Sequence, residues 1–154
     1  MALLKFPVHH ENNRTPEERR ESQEFGKLGE QMAARYLIDK GYTILEHNYR
    51  RGHLEIDLIA LAPTPQSSGQ PPSGSGATGE LVIVEVKSRA YDTLLQPEDA
   101  VDHKKRLALI RLANEYVKTH NRKENVRFDI ISIISNDKGS EIKHLENAYN
   151  VMTF

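Results

Sequence analysis

No cysteine and no tryptophan occur among the 154 residues. The missing thiols exclude disulfides, thiolate zinc sites and cysteine nucleophiles. Aromatic residues make up only 6%, too few for a stacking platform that reads single-stranded bases. Neither sign of charge dominates: 21 Lys and Arg against 22 Asp and Glu give a formal charge of −1. That balance argues against a broadly basic protein that coats nucleic acid. No apolar run approaches the roughly 20 residues needed to span a bilayer. The opening Met1–Val8 holds one apolar pair, Leu3-Leu4, before Lys5 and Pro7 interrupt it, which is too short for a signal-peptide core. The expectation is a soluble, cytoplasmic protein with no membrane partner.

The length suits one compact domain. The first 14 residues lack periodicity and read as a flexible N-terminus, leaving 15–154 as the domain. Within it, Pro63–Gly79 carries four Pro, four Gly and four Ser in 17 residues and no charge, the composition of a flexible linker. Its neighbours Leu54–Leu61 and Leu81–Lys87 are both strongly apolar and read as adjacent strands. Loop closure costs grow only logarithmically with length, so the stretch reads as an insertion in a hairpin loop.

Thr15-Pro16-Glu17-Glu18 has the pattern of a helix start, with Thr as N-cap, Pro at the first helical position and Glu three after the cap. Phe25, Leu28, Gly29, Met32, Ala33, Tyr36 and Leu37 then recur with helical spacing, and Gly41 closes the helix. Thr43–Tyr49 reads as a strand ending in a turn at Arg51-Gly52. A second helix is expected from Pro97 to about His120, followed by strands at Phe128–Ile134 and Glu141–Leu145. The predicted order is α-β-β-β-α-β-β, an α/β fold.

Leu81-Val82-Ile83-Val84 is continuously apolar, as in a strand covered on both faces. Glu85 and Lys87 then break the run and, two apart, share a face. On the preceding strand, alternation puts Leu54, Ile56 and Leu58 on one side and Glu55, Asp57 and Ile59 on the other. Pairing of the two strands would bring carboxylates and an ammonium together near the sheet end. An acid followed two residues later by Lys also occurs at Asp102/Lys104 and Glu141/Lys143, so context singles out Glu85/Lys87. Clustered carboxylates in an apolar setting need compensation, and a hard divalent cation such as Mg²⁺ or Mn²⁺ supplies it. Lys87 beside such a cation would contact phosphate or orient a water for attack on a phosphodiester. A strand-end ion pair, with Asp57 merely facing solvent, fits the same letters equally well.

Gly26-x-x-Gly29-Glu30, Ala34-x-Tyr36-Leu37, Gly41-Tyr42-x-Ile44-Leu45, Asn48-Tyr49-Arg50, Glu55-Ile56-Asp57-Leu58-Ile59-Ala60, Val84-Glu85-Val86-Lys87-x-Arg89 and Arg127-Phe128-Asp129 occur in that order. Together they resemble the YraN family of small bacterial proteins, uncharacterised protein family 0102, from Phe25 onward. That family is similar to the restriction-endonuclease-like PD-(D/E)xK superfamily and, within it, to archaeal Holliday-junction resolvases. The resemblance implies an α-β-β-β-α-β core, a mixed central sheet flanked by helices. It also implies Asp57 and Glu85 as metal-binding carboxylates, Lys87 as catalytic lysine, and Glu30 as an accessory metal-binding acid on the first helix. On its own residues, without the resemblance, Glu30 reads as an ordinary solvated helix glutamate. The implied activity is a Mg²⁺- or Mn²⁺-dependent nuclease on structured DNA in repair or recombination. A non-catalytic nucleic-acid-binding or adaptor protein on the same scaffold is the alternative, and a homodimer would suit a junction. Two features depart from the family pattern: Leu54 stands where Gly is common, and the Pro63–Gly79 insertion is long.

Charge is unevenly spread. Asp102–Arg127 holds eight Lys and Arg against three acids. Lys104, Arg111 and Lys118 recur every seven residues on one helix face, and with Arg89 they are candidate phosphate contacts. An ordinary solvated helix face has the same pattern. Among the seven histidines, His53 alternates with Glu55 and Asp57, which would aim it at a metal there, but its position is read in the first place as that of a turn histidine.

Overall fold

The structure, a computed structural model, describes residues 15–64, 79–90 and 103–150. Along these run α1 (Pro16–Asp39), β1 (Thr43–Arg51), β2 (Leu54–Leu61), β3 (Leu81–Ala90), α2 (His103–Thr119), β4 (Val126–Asn136) and β5 (Gly139–Tyr149). The expected N-terminal segment, most of the Pro63–Gly79 insertion and the expected first turn of the second helix at Pro97 lie outside the described residues. Among the latter, no helix is long and apolar enough to cross a membrane.

α1 starts as its letters predict. The Thr15 hydroxyl accepts from the Glu18 backbone N–H at 3.2 Å, and the Glu18 carboxylate accepts from the Thr15 N–H at 2.8 Å. This reciprocal capping satisfies two donors that the first turn leaves open. At the other end Gly41 adopts φ +90°, a conformation that favours glycine, and Tyr42 N–H bonds back to Leu37 O.

The five strands form one sheet in the order β1-β2-β3-β4-β5. β3 and β4 are parallel and the other neighbours antiparallel, so the sheet is mixed. The crossover required by the parallel pair contains α2. β2 and β3 pair directly, Leu61 opposite Leu81, and Ala62 N–H donates to Glu80 O at 2.9 Å, which closes the hairpin at the mouth of the insertion.

A helix covers each face of the sheet. Leu109, Ile110, Leu112, Ala113 and Tyr116 of α2 pack on Leu81, Ile83, Phe128 and Ile130. Ala33, Ala34 and Leu37 of α1 pack on Val82, Val84, Ile131 and Ile133. Odd and even residues of β3 thus feed opposite cores, which is why its first four residues are all apolar. The result is an α/β fold with a five-stranded mixed sheet between two helices, consistent with a nuclease-like core.

The α1 stripe is narrower than its periodicity predicts. Phe25 and Leu28 are exposed, and the helix is buried only from Gly29 onward. At Gly29 a Cβ would lie 1.8 Å from Ser88 Oγ, so the missing side chain lets α1 approach β3.

A polar network fixes the α1 side of β4. Asp129 is fully buried and accepts from Arg127 Nε at 2.9 Å and Nη2 at 2.8 Å. His144 Nε2 lies 2.7 Å from it, and Asn147 N–H donates at 3.0 Å. Arg127 Nη2 also donates to the Tyr42 hydroxyl at 2.8 Å. Burial alone would raise the Asp129 carboxyl, but these hydrogen bonds, led by His144 and Arg127, hold it below the ordinary carboxylate range.

Candidate functional site

The sheet splits where its sequence becomes charged. β2–β3 pairing ends at Leu58 opposite Val84. β2 continues against β1 to Leu54 opposite Arg51, and β3 continues against β4 to Ala90 opposite Ser135. Beyond Val84 the Val86 N–H is taken by the Asp57 carboxylate at 2.8 Å, so a side chain stands in for the next rung of the ladder. The expected alternation along β2 fails at this point. Ile56 packs with Ile59 on the α2 side, while Leu58 and Ala60 belong to the α1 side. Ile56 and Leu58 therefore do not share a face, because the strand switches sides around Asp57 as it leaves β3.

Acids from two layers converge at the split. Glu30 of α1 with Glu55 and Asp57 of β2 each offer a carboxylate oxygen within 4.8 Å of the others. Asn48, held at φ +50°, a region asparagine tolerates, aims one amide at two of them. Its Nδ2 donates to Glu30 at 3.0 Å and to Glu55 at 2.7 Å. Arg50 Nη2 pairs with Glu55 at 3.0 Å. Burial, then the neighbouring Glu85 carboxylate, pushes the Asp57 carboxyl up to about 7; the Val86 N–H opposes this, and Glu30 adds to it.

Glu85 is not a member of that trio. Only 4% of its side chain is exposed, and it is held by Lys87 Nζ at 3.2 Å and by Lys105 Nζ in a short contact. Burial lowers the Lys87 pKa and Lys105 adds to the effect, while Glu85 opposes it. For Lys105 burial also works against the charge, but the Glu85 carboxylate outweighs it and the pKa is raised. A cleft of about 550 Å³ opens over Asp57, Glu85, Glu55, His53, Lys104 and Lys105. Glu30 and Lys87 do not line this cleft; they touch it through the Asn48 amide that bridges Glu30 to Glu55 and through the Lys87 contact with Glu85.

The predicted residues thus fall into groups. Glu30 and Asp57 meet on the β2 side of the split, and Glu85 and Lys87 meet on β3, on its other side. His53 lines the cleft but is not part of the acidic trio. Lys104, Arg111 and Lys118 are all exposed on α2, and of these Lys104 lines the cleft. Arg89 lies in β3 opposite Ile134, with its side chain outside the described set.

Two residues were missed. Glu55 had a signal, since it alternates with Asp57 on one short strand. Lys105 had none that distinguished it from Lys104, because its partner Glu85 is reached only through the packing of α2 on β3.

The donors fit a hard divalent cation: the trio offers carboxylate oxygen only, with neither sulfur nor imidazole, and the Asp57 carboxyl resists ionising without added positive charge.

Comparison with known proteins gives a consistent picture. A family model described as "Uncharacterised protein family UPF0102" matches residues 29–133, a span that contains Glu30, Glu55, Asp57, Glu85, Lys87 and Lys105. Similar chains, each named "UPF0102 protein", include one from Parabacteroides distasonis, 38% identical over 126 residues, covering 82% of this chain and 92% of the relative. One from Bacteroides thetaiotaomicron is 38% identical over 129 residues, covering 84% and 94%. One from Alkaliphilus oremlandii is 34% identical over 131 residues, covering 83% and 99%.

Proposed function

We propose that this chain, which belongs to the uncharacterised protein family UPF0102, is a Mg²⁺- or Mn²⁺-dependent nuclease that hydrolyses phosphodiester bonds of structured DNA. The carrying observation is the sheet split, where an acidic trio stands beside a buried carboxylate gripped by two lysines, and where Glu55, Asp57, Glu85 and Lys105 open into one cleft. Glu30, Glu55, Asp57 and Glu85 are the residues that would hold the cation. When bound, the cation supplies charge for the phosphate and acidifies a water.

The chain's own groups account for the rest. Lys87 is pinned beside Glu85 and pulled toward the neutral amine by burial, which suits it to orient a water and take its proton. Lys104 and Lys105 on the opposite wall bring positive charge to the cleft through which a phosphate would enter. Too few aromatics surround the cleft for base stacking, so recognition would rest on backbone and shape. Such an activity belongs in the cytoplasm, in DNA repair or recombination, and a homodimer would present two clefts to one junction.

The test is cleavage of labelled four-way-junction and linear duplex DNA with and without Mn²⁺. Wild type should cut in Mn²⁺, whereas Lys87→Ala and Asp57→Ala should lose at least about a hundredfold, the size of a general acid–base contribution. Equal traces of cleavage from wild type and Lys87→Ala would sink the enzyme reading. DNA binding without Mn²⁺ binding would favour a non-catalytic scaffold.

A further inference from the structure

Lys105 comes from the helix on the α2 side, yet it binds a carboxylate buried in β3. Its partner Glu85 is 4% exposed and carries a second ammonium, Lys87, at 3.2 Å. The two lysines are not equivalent. Lys87 is 19% exposed and fixed two residues from Glu85 on the same strand, so it has little room to move away. Lys105 is 43% exposed, sits on the cleft wall beside Lys104 and carries its ammonium on a flexible four-carbon stem.

One buried carboxylate facing two ammonium groups is well compensated without a metal. Once a dication takes Glu85, the same two ammonium groups face added positive charge and at least one must relocate, because like charges at contact distance repel strongly in a partly dry cleft. Geometry selects the exposed one. Its stem opens into the cleft where a phosphodiester would lie, and a phosphate oxygen replaces the carboxylate it leaves.

We infer that Lys105 is a charge-exchanging residue of the cleft: it neutralises Glu85 in the metal-free protein and becomes a phosphate contact when a divalent cation displaces it. This rests on the nuclease reading above and adds a role for a residue outside the acidic set. Its consequence is metal-gated binding of nucleic acid.

The test uses full-length wild type, Lys105→Met, which keeps the apolar stem, and Lys105→Arg. Calorimetric titration with Mn²⁺ alone should show Lys105→Met binding about fivefold or more tightly than wild type, since a competitor for Glu85 is gone. Lys105→Arg should stay close to wild type. A role confined to packing would not tighten metal binding.

Anisotropy of a labelled DNA duplex, with Ca²⁺ as a non-hydrolytic cation, should show Lys105→Met binding about tenfold more weakly. The slope of log affinity against log salt should shrink by about 0.9, the signature of one lost phosphate contact. Without divalent cation the two proteins should bind the duplex alike. Unchanged or weaker Mn²⁺ binding by Lys105→Met, or equal salt slopes in Ca²⁺, overturns the inference while leaving the nuclease reading in place. Absence of Mn²⁺ binding by wild type overturns both.

Should Lys105→Met fail to fold, Glu85→Gln frees the ammonium by the other route. Metal-free duplex binding should then tighten several-fold and the salt slope rise by about 0.9. A slope equal to that of wild type would also overturn the inference.

Discussion

Asp57→Asn should stabilise the metal-free protein at pH 8 and leave it nearly unchanged at pH 4. The folded carboxyl is pushed from 3.8 up to about 7, first by burial and then by the Glu85 charge. Because the folded value lies above the unfolded one, the folded state holds a proton that the unfolded chain releases between these limits. Stability therefore falls as pH rises from about 4 to about 7 and levels off above that. About three decades of proton activity at ~1.4 kcal/mol each set a ceiling of about 4 kcal/mol. Relaxation and water entry reduce this, so about 2 kcal/mol is expected at pH 8. Asparagine keeps an oxygen for the Val86 N–H and never ionises. Urea denaturation in chelator at pH 4, 5, 6, 7 and 8 measures the difference, which corresponds to roughly 4–8 °C in Tm. Mn²⁺ at pH 8 should raise the stability of wild type and not that of the variant. Parallel pH profiles for the two proteins would mean that Asp57 ionises in the folded protein as it does in the unfolded chain, contrary to this expectation.

Three further outcomes follow from other parts of the fold. Asp129→Ala removes the buried carboxylate that holds Arg127, His144 and the Asn147 N–H, leaving Arg127 with Glu80 and Tyr42, and should cost about 3 kcal/mol near neutrality. Because Asp129 is held below the ordinary carboxylate range, its contribution is complete above about pH 4 and is lost as pH falls through the folded value, so a gap between the two proteins that stays constant into strong acid would contradict this account. Gly29→Ala should lose about 1–3 kcal/mol through crowding against Ser88. Adding Ser88→Ala should recover part of that loss, because the Ser88 hydroxyl is buried without a hydrogen-bond partner among the described residues; thermal melts showing no recovery would mean that the clash lies elsewhere. Asn48→Gly keeps the positive φ available but removes the amide that orients Glu30 and Glu55. Calorimetry should show Mn²⁺ affinity about tenfold weaker, and unchanged affinity would remove Glu30 and Glu55 from the metal centre.

Much of the architecture could be read along the chain. Capping at Thr15 and Glu18, the closing Gly41 and the two-faced apolar run of β3 depend on neighbours within a few residues, which composition and period reveal, and the adjacency of β2 and β3 showed because a chargeless linker between two apolar runs can only be a loop. Strand ends were read less well: β5 runs Gly139–Tyr149 where Glu141–Leu145 is expected, because pairing with β4 extends it beyond its apolar stretch. The polar network around Asp129 joins Tyr42, Arg127 and His144, three positions whose letters give no hint that they meet.

Local patterning was enough to locate the strand with the anomalous charges: Glu85 and Lys87 interrupt an otherwise apolar run, and Asp57 lies on the strand that pairs with it. How those charges divide depends on packing between layers. Glu30 joins Glu55 and Asp57 because α1 packs beside the strand they share, with the Asn48 amide bridging Glu30 to Glu55, and Lys105 takes Glu85 because α2 packs over the opening between β2 and β3. Periodicity reports which way a side chain points while a ladder is regular. It does not report where the ladder ends, and at that end a side chain replaces backbone as hydrogen-bonding partner, as the Asp57 carboxylate does for the Val86 N–H.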